Sequence, residues 1–231
     1  MVELRSPHYG GAIDLRNPND PRTRIVNLVP DGCHALEIGC GSGTIISYLA
    51  HAKNCRVLAL EPDPTMAAET RALGVEVIQG QVEDDTVQAT LAARGPYDVI
   101  IFADVLEHLR DPQGILQVVR PWLAEGGAVL VSVPNVAHWS IRLSLLFGRW
   151  DYTDGYLMDR THLRWFTAQT LKQLLADTGY RIVDFQVRWA PLPGDRIWRR
   201  LIPCRDRIYE RLAAHSPGLW GYQFVVWGEP R

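Results

Sequence analysis

Three glycines in five residues, Gly39, Gly41 and Gly43, stand between two acids that close short apolar runs. Glu37 lies in Leu36-Glu37-Ile38, and Glu61 follows Val57-Leu58-Ala59-Leu60. Closely spaced glycines let a backbone turn sharply and let a ligand lie against bare main chain. The amphipathic stretch from Gly43 to Ala52 would aim the free N–H groups of a helix N-terminus at that ligand. The spacing is G-x-G-x-G; a dinucleotide fingerprint places its last glycine one residue later, where Thr44 stands. A carboxylate at Glu37 suits an ammonium or sulfonium group better than a pyrophosphate. Glu61 sits where doubly wound folds carry an acid for ribose hydroxyls. Glycine loop and acid together point to an adenosine-containing cofactor, and Glu37 selects one that bears a positive charge.

The elements that must position these residues alternate in type. Apolar runs at Ala35–Ile38, Arg56–Leu60, Glu76–Ile78, Asp98–Phe102, Ala128–Val133, Ile182–Val187 and Tyr222–Trp227 read as strands. Runs such as Val99-Ile100-Ile101-Phe102 suit strands buried on both faces. Helix patterns fall between them at Gly43–Ala52, Pro64–Leu73, Thr86–Ala93, Pro112–Leu123 and Ala168–Thr178, the last with Thr167 as N-cap and Gly179 as stop. This βα alternation predicts an α/β fold with a doubly wound, mostly parallel seven-stranded sheet. Two stretches break the pattern. Residues 135–166 hold Trp139, Phe147, Trp150, Tyr152, Tyr156, Trp165 and Phe166 and begin where a lid over the carboxyl ends of the strands would begin. Residues 190–220 hold a helix-like, arginine-rich segment from Asp195 to Leu212.

Composition narrows the class. The chain has 231 residues, 47% hydrophobic and 22% charged, with a net charge of −2. That excludes a disordered or fibrous chain and gives no global attraction to nucleic acid. No apolar run approaches the roughly 18 residues of a membrane span, so a soluble, cytoplasmic protein is expected. Cys33, Cys40, Cys55 and Cys204 form no C-x-x-C pair, and no histidine has zinc-finger spacing. Free thiols and no metal are expected.

Further blocks extend the glycine loop: Glu61-Pro62-Asp63, Tyr97 to Phe102 followed by Ala103-Asp104-Val105-Leu106-Glu107-His108-Leu109, Gly126-Gly127, Val131-Ser132-Val133-Pro134-Asn135, and Asp159-Arg160-Thr161-His162-Leu163-Arg164-Trp165-Phe166-Thr167. With these the chain resembles the class I S-adenosylmethionine-dependent methyltransferases over roughly residues 10 to 187. The L-E-H block looks like the small-molecule branch that includes ubiquinone-pathway O-methyltransferases. The R-T-H-L-R-W-F-T block is similar to bacterial enzymes of sugar and cell-surface glycan pathways. The resemblance implies a single methyltransferase domain over 1–231, with a core at about 25–187 and 221–229, a lid insertion at about 135–166 and a basic insertion at about 190–220. It implies a Rossmann-like sheet whose last strand is antiparallel, S-adenosylmethionine as cofactor, S-adenosylhomocysteine as product, and O-methylation of a small-molecule or glycan-type acceptor.

Residue by residue, the resemblance assigns Glu37 to the methionine ammonium and Gly39, Gly41 and Gly43 to the surface under the amino-acid portion. Cys40 would pack beneath, and Glu61, with Pro62 beside it, would hold the ribose. Where the family shows an acid for the adenine amino group this chain has Gln81, followed by Val82; a glutamine carbonyl accepts the same bond. Ala103 and Asp104 would line the cofactor after the fourth strand. Arg16, Arg22 and Arg24 are equal candidates for the cofactor carboxylate. His162 and His108 are candidate bases if the acceptor is a hydroxyl, and His162 could instead brace the lid through Asp159 or Arg164. Asn135 and His138 lie where acceptors approach.

Other readings remain. The segment Asp195–Leu212 carries arginines 196, 199, 200, 205, 207 and 211. It is either a surface helix packing an apolar stripe of Trp198, Leu201, Ile202, Ile208 and Leu212, or a dock for an anionic acceptor or an anionic membrane surface through Arg196–Arg211. Rival functions are a nicotinamide-dependent oxidoreductase, disfavoured by Thr44 and Glu37, and a catalytically silent cofactor-binding module. Nucleic-acid methylation is disfavoured because Phe102-Ala103-Asp104-Val105, not an N-P-P-Y-type block, ends the fourth strand.

Overall fold

A computed structural model describes residues 13–190 and 204–231. In chain order the elements are α1 (Pro21–Leu28), β1 (His34–Ile38), α2 (Thr44–Ala52), β2 (Arg56–Glu61), α3 (Pro64–Ala72), β3 (Val77–Gln79), α4 (Asp85–Arg94) and β4 (Tyr97–Ala103). A 3-10 turn (Leu106–His108), α5 (Pro112–Val119), β5 (Leu123–Pro134), α6 (Trp139–Leu146), α7 (Ala168–Asp177), β6 (Tyr180–Trp189), α8 (Arg205–His215) and β7 (Gly221–Pro230) complete it. The sheet order is β3-β2-β1-β4-β5-β7-β6. β1 to β5 pair in parallel, while β7 runs antiparallel to both β5 and β6. The seven predicted strands and five predicted helices all form, with ends displaced by a few residues.

Local chemistry explains several boundaries. Three helices open on Asp-Pro: Asp20, Asp63 and Asp111 accept backbone N–H groups of Arg22, of Thr65 and Met66, and of Gly114. The aspartate satisfies orphan donors, and the proline that follows is preset for the first helical position. Thr167 caps α7 in a reciprocal box with Thr170, and Gly179 ends it in the left-handed region at φ 83°. α1 and α6 are additions that the apolar pattern did not reveal. α6 buries none of its residues in the fold, so no buried stripe marks it.

Alternate residues of the central strands enter two separate cores. Ile100 and Phe102 of β4 join Leu36, Leu60 and Leu116 on one side. Val99 and Ile101 join Ala35, Ile46 and Leu49 on the other. A sheet covered by helices on both faces leaves its carboxyl ends as the open edge.

The basic stretch is described only in part. Arg196, Arg199, Arg200, Trp198, Leu201 and Ile202 lie outside the described residues. α8 covers Arg205–His215, and the expected stripe is corrected: it buries Arg205, Tyr209 and Ala213, whereas Ile208 is 44% exposed. Tyr209 stacks on Trp189 with ring centroids 5.0 Å apart, and that contact sets the buried face of the helix.

Candidate functional site

The glycine loop leaves β1 at its carboxyl end, and all three glycines have positive φ, 69°, 55° and 76° for Gly39, Gly41 and Gly43. They are needed for different reasons. A Cβ on Gly39 would fall 2.7 Å from Val105, and one on Gly43 2.7 Å from Thr70. At Gly41 the nearest atom is Met66 Sδ at 3.9 Å. Gly39 and Gly43 therefore serve close packing, while Gly41 leaves the loop surface bare.

Glu61 braces that loop. One of its carboxylate oxygens accepts the Gly41 N–H at 2.7 Å and the other the Asp63 N–H at 2.9 Å. Each oxygen retains a lone pair for a second donor such as a sugar hydroxyl. Burial pushes its pKa up against the pull of those two N–H groups.

Glu37 is 2% exposed, and its Oε2 is buried with no hydrogen-bond partner. Burial first, and the nearby Glu61 charge, push its pKa up to about 8 against the N–H of Ile46. A buried carboxylate with one unmatched oxygen is costly, and a cationic group beside it would relieve the cost. The residues thus fit S-adenosylmethionine on an observation of the fold: an orphaned acid and a bare glycine turn face the same strand end.

The remaining expected cofactor residues take varied places. Cys40 is buried with Sγ 3.7 Å from Thr70 Oγ1 and 3.6 Å from the Gly41 carbonyl. Burial raises its pKa further above that of an ordinary thiol, so it is packing and not a nucleophile. Pro62 and Gln81 are exposed after β2 and β3, and Val82 is buried in the core. Ala103 ends β4. Asp104 takes a left-handed conformation, φ 56°. It is held there by Ser132 Oγ at 2.8 Å and Gln223 Nε2 at 2.5 Å, both donating to its Oδ1. Strained non-glycine residues of this kind gather at functional sites. Of the arginine candidates, Arg16 pairs with Asp14, Arg22 with Asp20, and Arg24 reaches Gln186.

Past Asp104 the chain forms a second cluster. Glu107 is 1% exposed, with Oε2 buried and unpartnered. Burial, then the Asp104 charge, raise its pKa well above the usual carboxylate range. The rings of His108 and His162 meet edge to face at 4.9 Å, and His162 also packs on Trp165 at 5.5 Å. Burial, then the proximity of His108, lower the pKa of His162 to about 4, so its imidazole is neutral at pH 7. The His162 backbone N–H donates to the Asp159 carbonyl at 3.1 Å, while the Asp159 carboxylate takes the Thr161 N–H and hydroxyl and Arg164 donates to the Arg110 carbonyl.

The expectation that no set of metal ligands exists rested on order along the chain. In the fold, Glu107, His108 and His162 each bring one ligand atom within 4.8 Å of the others. Asn135 and His138 are used structurally. Asn135 Nδ2 donates to the Gly221 carbonyl at 2.6 Å, and His138 Nδ1 meets Ser140 Oγ at 2.8 Å at the start of α6. Sequence reasoning missed Glu107 as a functional group, though it adjoins His108. It also missed Ser132 and Gln223; Gln223 lies 119 residues beyond Asp104 with no signal to link them.

Comparison with known proteins agrees with this geometry. Residues 16–184 match the methyltransferase-domain family, and the chain belongs to it. Among curated relatives, a ubiquinone biosynthesis O-methyltransferase of Methylobacterium sp. is 25% identical over 71% of this chain and 66% of its own length. One of Xylella fastidiosa is 32% identical over 48% of this chain and 46% of its own length. The chain thus spans about half to two thirds of these relatives. Solved structures share the fold across nearly the whole chain. An S-adenosylmethionine-dependent methyltransferase of Mesorhizobium loti superposes with a TM-score of 0.60 at 16% identity, covering 94% of this chain and 100% of that one. The magnesium protoporphyrin IX methyltransferase of Synechocystis, solved with bound S-adenosylhomocysteine, gives 0.60 at 15% identity, covering 96% and 91%. No helix among the described residues is long and apolar enough to cross a membrane.

Proposed function

We propose that the chain transfers a methyl group from S-adenosylmethionine to a hydroxyl of a small-molecule acceptor. The observation that carries this reading is Glu37: a fully buried acid with an unmatched oxygen, beside a glycine turn whose middle residue meets nothing closer than 3.9 Å. Glu37 would hold the methionine ammonium, Glu61 the ribose hydroxyls, and Ala103 and Asp104 the wall after β4. Gln81 would reach the adenine amino group. The cofactor supplies an electrophilic methyl on sulfur. The protein's task is to hold the acceptor oxygen in line and keep water out.

The acceptor side would be formed by the turn after β4 and by residues 135–166, acting as a lid. The two ends of that insertion are joined, Val136 N–H donating to the Phe166 carbonyl at 2.9 Å. Its rings, with Trp150 and Tyr152 grouped on Trp165, suit a ring-shaped acceptor. In the absence of a metal, His162 or His108 would take the acceptor proton. The names of the curated relatives support oxygen as the methylated atom, while a glycan-type acceptor rests on the R-T-H-L-R-W-F-T block alone. The test is calorimetric titration with S-adenosylhomocysteine on wild type and Glu61→Ala. Micromolar binding that weakens at least tenfold in the variant, about 1.4 kcal/mol, supports the reading. A wild type that does not bind ends it.

A further inference from the structure

We propose that Glu107, His108 and His162 form a site for a first-row divalent cation such as Zn²⁺ or Mn²⁺, and that the ion clamps the segment after β5 onto the turn after β4. Each of the three side chains brings one ligand atom to the cluster, and two of them have a buried atom without a partner. His108 Nδ1 faces the carbonyl and hydroxyl oxygens of Thr161, both at 3.2 Å, which leaves Nε2 for a ligand. His162 Nδ1 is buried without a partner. Glu107 Oε2 is likewise buried without a partner.

An imidazole that meets a backbone oxygen through one nitrogen, as His108 does, is oriented to offer the other to a metal. A buried carboxyl oxygen left without a donor is costly, and a cation held beside it would satisfy it. Two imidazoles and one carboxylate suit borderline first-row ions better than calcium or magnesium, which prefer all-oxygen shells. The ligand atoms lie within 4.8 Å of one another. Donors about 2.0–2.1 Å from a tetrahedral ion stand roughly 3.4 Å apart, so side-chain shifts of about an ångström would close the set.

The three residues come from two pieces of chain. Glu107 and His108 belong to the turn after β4, and His162 to the insertion after β5. The pieces are already stitched together, since the N–H groups of Leu163 and Arg164 both donate to the Glu107 carbonyl, at 2.7 and 2.9 Å. An ion added there would tighten an existing seam. Three protein ligands leave a fourth position for an oxygen. If the methyl-transfer reading holds, on which this one step rests, that oxygen is the acceptor hydroxyl. The ion would lower its pKa so that the proton passes to solvent, and the histidines would act as ligands and not as bases.

The experiment is calorimetric titration of the chelator-treated full chain with Zn²⁺ and with Mn²⁺, followed by hydrogen exchange of residues 150–165 with and without the ion. Expected are one ion per chain, at least tenfold weaker binding in both Glu107→Gln and His162→Ala, and no change in His51→Ala. Exchange in the insertion should slow with the ion in wild type and not in Glu107→Gln. Failure of one-to-one uptake, or uptake equal in wild type and both variants, overturns the proposal. S-adenosylhomocysteine titration of the same samples keeps the two readings apart. Retained binding with lost cation uptake leaves the methyltransferase reading standing, and the reverse leaves the cation site standing.

Discussion

Replacing Glu37 with glutamine removes a titration that the fold makes unfavourable, and the size of the effect follows from its surroundings. Burial strips the carboxylate of water, and the Glu61 charge opposes ionisation, so the pKa lies at about 8 against an ordinary value of 4.5. A carboxyl raised in this way contributes stability that is complete below its unfolded pKa and is lost as pH rises through its folded pKa. Over pH 6 to 9 the loss from this one group is at most about 2.7 kcal/mol. Glutamine does not titrate, so the stability of wild type relative to Glu37→Gln should fall by up to that amount across the window. Urea denaturation of both proteins at pH 6 and pH 9 measures the difference, because other titrating groups cancel between them. Ligand binding should invert the dependence. An ammonium group beside Glu37 favours the ionised form, so wild-type affinity for S-adenosylhomocysteine should drop about fiftyfold from pH 8 to pH 6 as the bound state comes to require loss of a proton. Parallel stability profiles for the two proteins would refute the burial argument, and an affinity flat with pH would refute the placement of the ammonium.

Two further outcomes follow from packing at the same strand ends. Gly43→Ala must place a Cβ 2.7 Å from Thr70 at φ 76°, whereas Gly41→Ala meets nothing closer than 3.9 Å at φ 55°. The left-handed penalty of about 1–2 kcal/mol applies to both. Overpacking of about 1–3 kcal/mol should fall on Gly43 alone, and equal denaturation midpoints for the two variants would contradict this. Ser132→Ala removes the hydroxyl that donates to Asp104 Oδ1 and accepts the Asp104 N–H. It should cost about 1–3 kcal/mol in urea denaturation; an unchanged midpoint would mean that the strained Asp104 backbone is held by other contacts.

Much of the frame was legible in the residues because it depends on short-range pattern. Apolar runs of four or five residues, separated by helix-length amphipathic stretches, define a covered parallel sheet. The glycine spacing with Glu37 and Glu61 at strand ends defines where a charged, ribose-bearing ligand would lie. Even the helix starts at Asp63-Pro64 and Thr167 were readable, since capping uses only near neighbours. α6 was not readable, because a helix that buries none of its residues leaves no periodic apolar stripe.

What the chain order could not reveal depends on which distant residues the sheet brings together. Glu61 was read as a ligand for ribose, and only the fold shows one of its oxygens bracing the glycine loop through Gly41 as well. Asp104 owes its strained backbone to Ser132 and Gln223, on strands reached much later in the chain. His108 and His162 are separated by more than fifty residues and were weighed singly as bases. Folding the insertion back onto the turn after β4 sets them edge to face, with the buried Glu107 between the two segments. Sequence spacing therefore determined the proposed cofactor side of the site, built on consecutive strand ends. Tertiary packing alone decided the proposed acceptor side, because its members meet only when the insertion closes on the sheet.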